Sequence, residues 1–136
     1  MADQFEAGCV CGAVRFVATG RRKWVAWSHC QSCRRHSGAP VSVFAAFARA
    51  AHVVTKGEIT KLGSLPGVQR GFCARCWSNL TCESERLPTE THFPVGAFDQ
   101  AARLRPRRHI FPEERLPGCT WATSEVGRPR VLQGPA

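Results

Sequence analysis

The sequence predicts a mainly β domain built from short strands. Its apolar stretches are short and often alternate with polar residues, as half-buried strands do. Twelve glycines and nine prolines, scattered along the chain, supply frequent turns. Six of the eight cysteines fall in close pairs, which is typical of metal-binding turns. We expect one domain over residues 1–116, followed by a loosely ordered tail over residues 117–136.

The first predicted element is a hairpin over residues 5–19. Cys9 and Cys11 lie at its turn, next to Gly12, and their spacing of two points both thiols to one side. We therefore expect this turn to be a knuckle that presents two sulfur ligands to a metal ion.

A second strand is predicted over residues 24–30, and a turn or short helical turn over residues 31–39 follows it. Alternation along this strand places Ser28 and Cys30 on one face and His29 on the other. Ser28 and Cys30 thus share an orientation, as Cys9 and Cys11 do in the first turn.

The rest of the chain predicts further short strands. Residues 41–48 are apolar on both faces, as expected of a central strand. Other strands are predicted over residues 52–56, 59–65, 68–73, 78–83, 92–98 and 107–111. Residues 84–91 form a polar loop, and Asp99 is expected to cap a helical turn that runs through Leu104.

The composition predicts a basic protein without a membrane-spanning segment. Nineteen Lys and Arg against ten Asp and Glu give a net charge of +9, enough to attract nucleic acid or anionic metabolites. The alternative is an ordinary solvated basic surface. A cluster near the C-terminus contains Arg103, Arg105, Arg107 and Arg108. With no signal-peptide pattern and no apolar run near ~20 residues, we expect a cytoplasmic location, where thiols bind metals rather than form disulfides.

Three stretches resemble the family of glutathione-dependent formaldehyde-activating enzymes and centromere protein V. They are residues 8–16 (GCVCGAVRF), 28–39 (SHCQSCRRHSGA) and 70–76 (RGFCARC), with a weaker match over residues 106–111 (PRRHIF). The resemblance implies an Mss4-like fold of short twisted antiparallel sheets stapled by a structural zinc ion. It also implies the ligands of that ion, which are Cys9, Cys11, Cys73 and Cys76.

The family also holds a second, more labile zinc ion in a C-x-C-x-x-C cluster, and this chain has Ser28 in place of the first cysteine. A serine hydroxyl is a poor zinc ligand, which leaves Cys30 and Cys33 as candidate ligands. The residues that could complete this site in space are His36, Cys82 and Cys119. A second departure is Trp77, where the family has glycine, so we expect a changed or strained turn.

The resemblance implies a carbon–sulfur lyase that joins glutathione and formaldehyde as S-hydroxymethylglutathione. That reaction needs a thiolate, and a free thiol titrates near ~8.5, so zinc or nearby cations must lower its pKa. Cys30, Cys33 and Ser28 are the candidate catalytic residues. Arg34 and Arg35 are candidates for binding the carboxylates of a glutathione-like ligand.

Two other functions stay open at this point. One is a non-catalytic, zinc-stabilised module that uses its positive charge to bind nucleic acid or an acidic partner. The other is a thiol redox or metal-buffering protein that uses Cys30 and Cys33. For His29, His109 and Cys82, the alternative to a functional role is packing in the core.

Overall fold

The computed structural model describes residues 3–119, which form two β-sheets and one short helix. The strands are β1 (Gln4–Gly8), β2 (Arg15–Thr19), β3 (Trp24–Ser28), β4 (Ser42–Ala48), β5 (His52–Lys56), β6 (Thr60–Leu65), β7 (Val68–Phe72), β8 (Asn79–Ser84), β9 (Glu90–Pro94) and β10 (Arg108–Ile110). Helix α1 spans Gln31–Ser37, and short 3-10 turns span Arg49–Ala51, Val95–Ala97, Ala101–Arg103 and Pro112–Glu114. The predicted mainly β class is confirmed.

The ten strands divide into a small sheet and a large one. The small sheet has the order β1-β2-β5, and the large sheet has the order β10-β3-β4-β9-β8-β7-β6. Neighbouring strands are antiparallel except for β10, which runs parallel to β3. The expectation of antiparallel sheets misses this one pair. A parallel pair needs a long connection between its strands, and all the elements between β3 and β10 supply it here.

The core lies between the two sheets and is rich in phenylalanine. Strand β4 is central in the large sheet, as predicted, and Phe44, Ala45, Ala46 and Phe47 are consecutively buried along it. Phe16 from β2 stacks on Phe93 from β9, with 5.1 Å between ring centroids. Each fully buried phenylalanine contributes about 1.5–3 kcal/mol, so this cluster fixes how the two sheets face each other.

Some predicted boundaries differ from the structure. Strand β3 ends at Ser28, so Cys30 lies outside it, at the N-terminal cap of α1. Asp99 does not cap a helical turn, because its carboxylate is paired with Arg15 of β2, and the turn begins at Ala101 without a side-chain cap. Most of the predicted tail, residues 120–136, lies outside the described residues.

The helices of the described part of the chain are not suited to crossing a membrane. Among residues 3–119, no helix combines the length and the apolar character that a membrane span requires.

Candidate functional site

Two turns bring four cysteine sulfurs together at one end of the sheets. Cys9 and Cys11 lie in the turn after β1, and Cys73 and Cys76 lie in the turn after β7. All four Sγ atoms lie within 4.8 Å of one another. The Sγ atom of Cys11 is 3.5 Å from that of Cys9 and 3.8 Å from that of Cys73.

These distances fit a tetrahedral zinc ion. A Zn–S bond of about 2.3 Å separates neighbouring sulfurs of a tetrahedron by about 3.8 Å. Backbone N–H groups point at the sulfurs as well: Val14 donates to Cys9 at 3.2 Å, and Arg75 donates to Cys73 at 3.4 Å. Such donors stabilise metal-bound thiolates. The four cysteines, called the zinc cluster below, are therefore able to hold the structural ion that the family resemblance implies.

The thiols of the zinc cluster differ in acidity. A hydrogen bond from the Ser78 hydroxyl lowers the pKa of Cys76 to about 5. The backbone near Ala13 favours the thiolate of Cys11, but burial and the neighbouring cysteines raise its pKa to about 11. A divalent cation between them would stabilise all four thiolates and release the protons still bound.

Trp77 shows the strain that the sequence predicts for this turn. Its φ is 67°, in the left-handed region, and its N–H donates to the Cys73 carbonyl at 2.8 Å. A bulky residue there costs on the order of 1–3 kcal/mol. The indole ring stacks on Phe72, with centroids 5.6 Å apart, which offsets part of this cost.

The second group of predicted residues lies where β3 leads into α1. Ser28 is buried at the end of β3, Cys30 is half-buried at the cap of α1, and Cys33 is buried one turn further on. The Sγ atom of Cys30 lies 3.1 Å from the Ser32 hydroxyl. Two further predicted residues are carried by the same helix, half-buried Arg34 and exposed Arg35.

Sequence reasoning missed Arg70, whose side chain on β7 is only 2% exposed and contacts the Cys33 sulfur. Its guanidinium donates to the Ser32 hydroxyl at 3.3 Å, to the Cys33 sulfur at 3.5 Å and to the Ser64 hydroxyl at 3.2 Å. Within residues 3–119, no carboxylate forms an ion pair with it. The available signal was its position between Val68 and Phe72, which share one side of the strand with it.

Ser28, Cys30, Cys33 and Arg70 are called the thiol site below. Burial opposes ionisation of Cys30, but hydrogen bonds from Ser32 and Cys33 outweigh it and lower the pKa of Cys30. Burial raises the pKa of Cys33 to about 11, even though Arg70 favours its thiolate. Cys30 is therefore the thiol that ionises first, and Cys33 keeps its proton.

The thiol site does not fit a second zinc ion as it is arranged. Among the described residues, no third His, Cys, Asp or Glu gathers with Cys30 and Cys33. The residues expected to complete the site, His36, Cys82 and Cys119, do not join them in such a group. The Arg70 guanidinium also places a positive charge against Cys33. The second zinc ion stays a prediction, and no chemical step below depends on it.

The parallel strand β10 lies beside β3, the strand that leads into the thiol site. His29 is fully buried, and its Nε2 lies 2.8 Å from Nδ1 of His109 on β10, with the two rings stacked. Beyond β10, the Glu114 carboxylate accepts the backbone N–H of Gln31 at 3.1 Å. Residues near the end of the described chain thus fix the start of α1, where Cys30 lies.

A cavity with a volume of about 450 Å³, called the basic cavity below, lies in another part of the surface. Its lining consists of Arg21, Arg22, Lys23, Trp24, Val25, Arg103, Arg105, Arg107 and Arg108. Of these lining residues, only Arg103 and Lys23 form ion pairs with carboxylates of the described chain, Arg103 with Asp3 and Lys23 with Glu90. The arginine cluster noted in the sequence therefore shares one surface with the connection before β3.

Comparisons with known proteins agree with this architecture. A family model described as glutathione-dependent formaldehyde-activating enzyme matches residues 4–114. A crystal structure of a Rhodobacter sphaeroides protein matches with a TM-score of 0.58 and 19% identity, covering 69% of this chain and 87% of that chain. No curated protein matches the chain. The structural likeness supports the predicted Mss4-like fold, and the match to the family model shows that the chain belongs to the family of glutathione-dependent formaldehyde-activating enzymes.

Proposed function

We propose that the chain is a carbon–sulfur lyase that forms and breaks a thiol–aldehyde adduct of the S-hydroxymethylglutathione type. The observation that carries the proposal is the Cys30 thiol in a chain of this family. It is half-buried, hydrogen-bonded to Ser32 and backed by buried Cys33 and Arg70. Zinc in the zinc cluster supplies a structural cross-link when bound and takes no part in the chemistry.

The role proposed for Cys30 is proton transfer. Its thiolate accepts the proton of an incoming glutathione-like thiol, and the new thiolate attacks the carbonyl carbon of the aldehyde. Cys30 Sγ then returns the proton to the oxygen of the hydroxymethyl group. A base and a substrate thiol of similar pKa exchange a proton with little cost in either direction, which suits a reversible reaction.

Two arginines of α1 are proposed to bind and orient the substrate. Arg34 lies one helical turn after Cys30, and its backbone N–H donates to the Cys30 carbonyl at 3.0 Å. Side chains four residues apart share one helix face, so Arg34 is the first candidate to hold a substrate carboxylate in a bidentate pair. Arg35 is more exposed and is proposed as a weaker second contact. Ser28, buried at the end of β3, is proposed to support the thiol site rather than to react.

The test is adduct exchange measured by NMR in mixtures of glutathione and formaldehyde. We expect wild-type protein to accelerate exchange between free and adducted glutathione, and Cys30→Ala to lose about 100-fold or more of that rate. Cys119→Ala, which removes another buried thiol, should keep the wild-type rate. Exchange no faster with wild-type protein than in buffer, or unchanged in Cys30→Ala, would refute the proposal.

The basic cavity favours a second candidate function, binding of nucleic acid through its phosphates. Five of its arginines, Arg21, Arg22, Arg105, Arg107 and Arg108, have no ion pair within residues 3–119. Guanidinium groups match phosphate oxygens in a bidentate fashion. Each phosphate neutralised steepens the salt dependence of binding by about 0.9 in the log–log slope.

A labelled DNA duplex and fluorescence anisotropy over a range of salt concentrations test this candidate. We expect the double variant Arg105→Ala, Arg107→Ala to bind more weakly and to reduce the salt slope by about 2. The matched control, Arg35→Ala with Arg86→Ala, removes the same charge from exposed arginines outside the cavity. Equal weakening in both double variants would show that net charge, and not the cavity, attracts the DNA.

A further inference from the structure

Cys30 and Cys33 have the spacing and placement of a reversible dithiol. Both are free thiols, and they occupy the cap and the first turn of α1. The Cys30 carbonyl already accepts the helical bond from Arg34, at 3.0 Å, so the cap residue follows the helix path. Cα atoms three residues apart on that path are about 5 Å apart, which lies inside the range of about 4.4–6.8 Å that disulfides span.

The two thiols also differ in access. Cys30 is half-buried, whereas Cys33 is 9% exposed and lies beneath it, with the Arg70 guanidinium 3.5 Å from its sulfur. A small disulfide can therefore reach Cys30 but not Cys33. Arg70, buried with no carboxylate partner within residues 3–119, is placed to stabilise negative charge as it develops on Cys33.

We propose that Cys30 and Cys33 form a redox-active pair that exchanges with low-molecular-weight disulfides, with Cys30 attacking and Cys33 resolving. This activity goes beyond adduct formation, because it needs no aldehyde and stands or falls separately from the lyase reaction. Ser32 and Arg70 link the two thiols in one hydrogen-bonded group, since Arg70 donates to both the Ser32 hydroxyl and Cys33.

The chemistry balances in two steps. The Cys30 thiolate attacks one sulfur of a disulfide RSSR, which forms a mixed disulfide on Cys30 and expels one thiolate RS⁻. That thiolate takes the Cys33 proton, and the Cys33 sulfur attacks Cys30 Sγ, which forms the Cys30–Cys33 disulfide and expels the second RS⁻. The protein pair is oxidised by two electrons, and RSSR is reduced to two thiols, the second taking up the proton lost by Cys30.

The test treats the purified full chain with glutathione disulfide as the probe. The zinc content of the chain is measured before and after this reaction. Peptide mass spectrometry under acid quench should find a Cys30–Cys33 disulfide in the wild type. In Cys33→Ser, the reaction should stop at a glutathionyl group on Cys30, raising that mixed disulfide at least about tenfold over wild type. Cys30→Ser should form neither product, and zinc content should stay constant in all three.

Several outcomes would overturn the proposal. They are a mixed disulfide on Cys30 that persists in the wild type, equal reaction of Cys30→Ser, and oxidation that begins at the zinc cluster with loss of zinc. Circular dichroism of each variant checks folding, and Cys33→Ala replaces Cys33→Ser if the buried hydroxyl unfolds the chain. Formaldehyde is absent throughout, so a failed lyase assay leaves this result unaffected, and the reverse also holds.

Discussion

Cys73→Ser is expected to unfold the domain. Cys73 is 1% exposed, and its sulfur lies 3.8 Å from that of Cys11 inside the zinc cluster. Binding of a structural zinc ion contributes ~10–16 kcal/mol to small domains, whereas the net stability of a whole domain is about 5–15 kcal/mol. The whole contribution of the ion is thus as large as the net stability of a domain, so weakening its binding by removal of one sulfur ligand is enough to unfold the chain. Far-UV circular dichroism melts, with zinc measured in the same samples, record the effect.

Cys82→Ser is the matched control for this result. Cys82 is also buried, on β8, but outside the zinc cluster. Its replacement buries the same hydroxyl without removing a ligand, and should cost only about 1–3 kcal/mol. A chelator added to wild-type protein should reproduce the Cys73→Ser melt. If Cys73→Ser melted at the wild-type temperature, the zinc cluster would have no structural role.

Arg70→Ala should produce the second large effect, a loss of about 3–5 kcal/mol in the free energy of unfolding. The change leaves a cavity in the sheet and removes donors from Ser32, Cys33 and Ser64. Arg70→Met fills most of that volume without a charge. It should cost less than the alanine change, because both variants lose the charge and the hydrogen bonds but methionine leaves a smaller cavity.

Urea unfolding at neutral pH separates these contributions. Arg86→Ala serves as the control for loss of an exposed arginine and should change stability by less than about 0.5 kcal/mol. A loss for the methionine variant as large as that for alanine would mean that the charge and hydrogen bonds of Arg70, and not its volume, stabilise the fold. That outcome would point to a thiolate partner in the thiol site.

Local patterns predict much of this fold. Alternation and turn residues locate the hairpin of β1 and β2 and the apolar strand β4, because both depend on neighbours in sequence. The positive φ of Trp77 follows from the position of that residue after a pair of cysteines. The four members of the zinc cluster are predicted by the family resemblance, since spacing alone does not tell which cysteine pairs meet.

Long-range pairing explains what the sequence left undetermined. The contact of His29 with His109 depends on β10 lying parallel to β3, which no local pattern encodes. Arg70 is buried because α1 and β7 meet around it, although arginine is usually exposed. Asp99 has a suitable side chain for a helix cap, but the ion pair with Arg15 competes successfully for its carboxylate.

The hydrogen bond between Glu114 and the start of α1 has a consequence for the order of folding on the ribosome. All four cysteines of the zinc cluster have been synthesised once Cys76 emerges, so a metal ion bound there would offset the entropy of closing that long loop early. The surroundings of Cys30 need residues as late as Glu114. A nascent chain can thus bring its four clustered cysteines together before it gains the core residues Phe93, Phe98 and Leu104, and the surroundings of Cys30 are completed last.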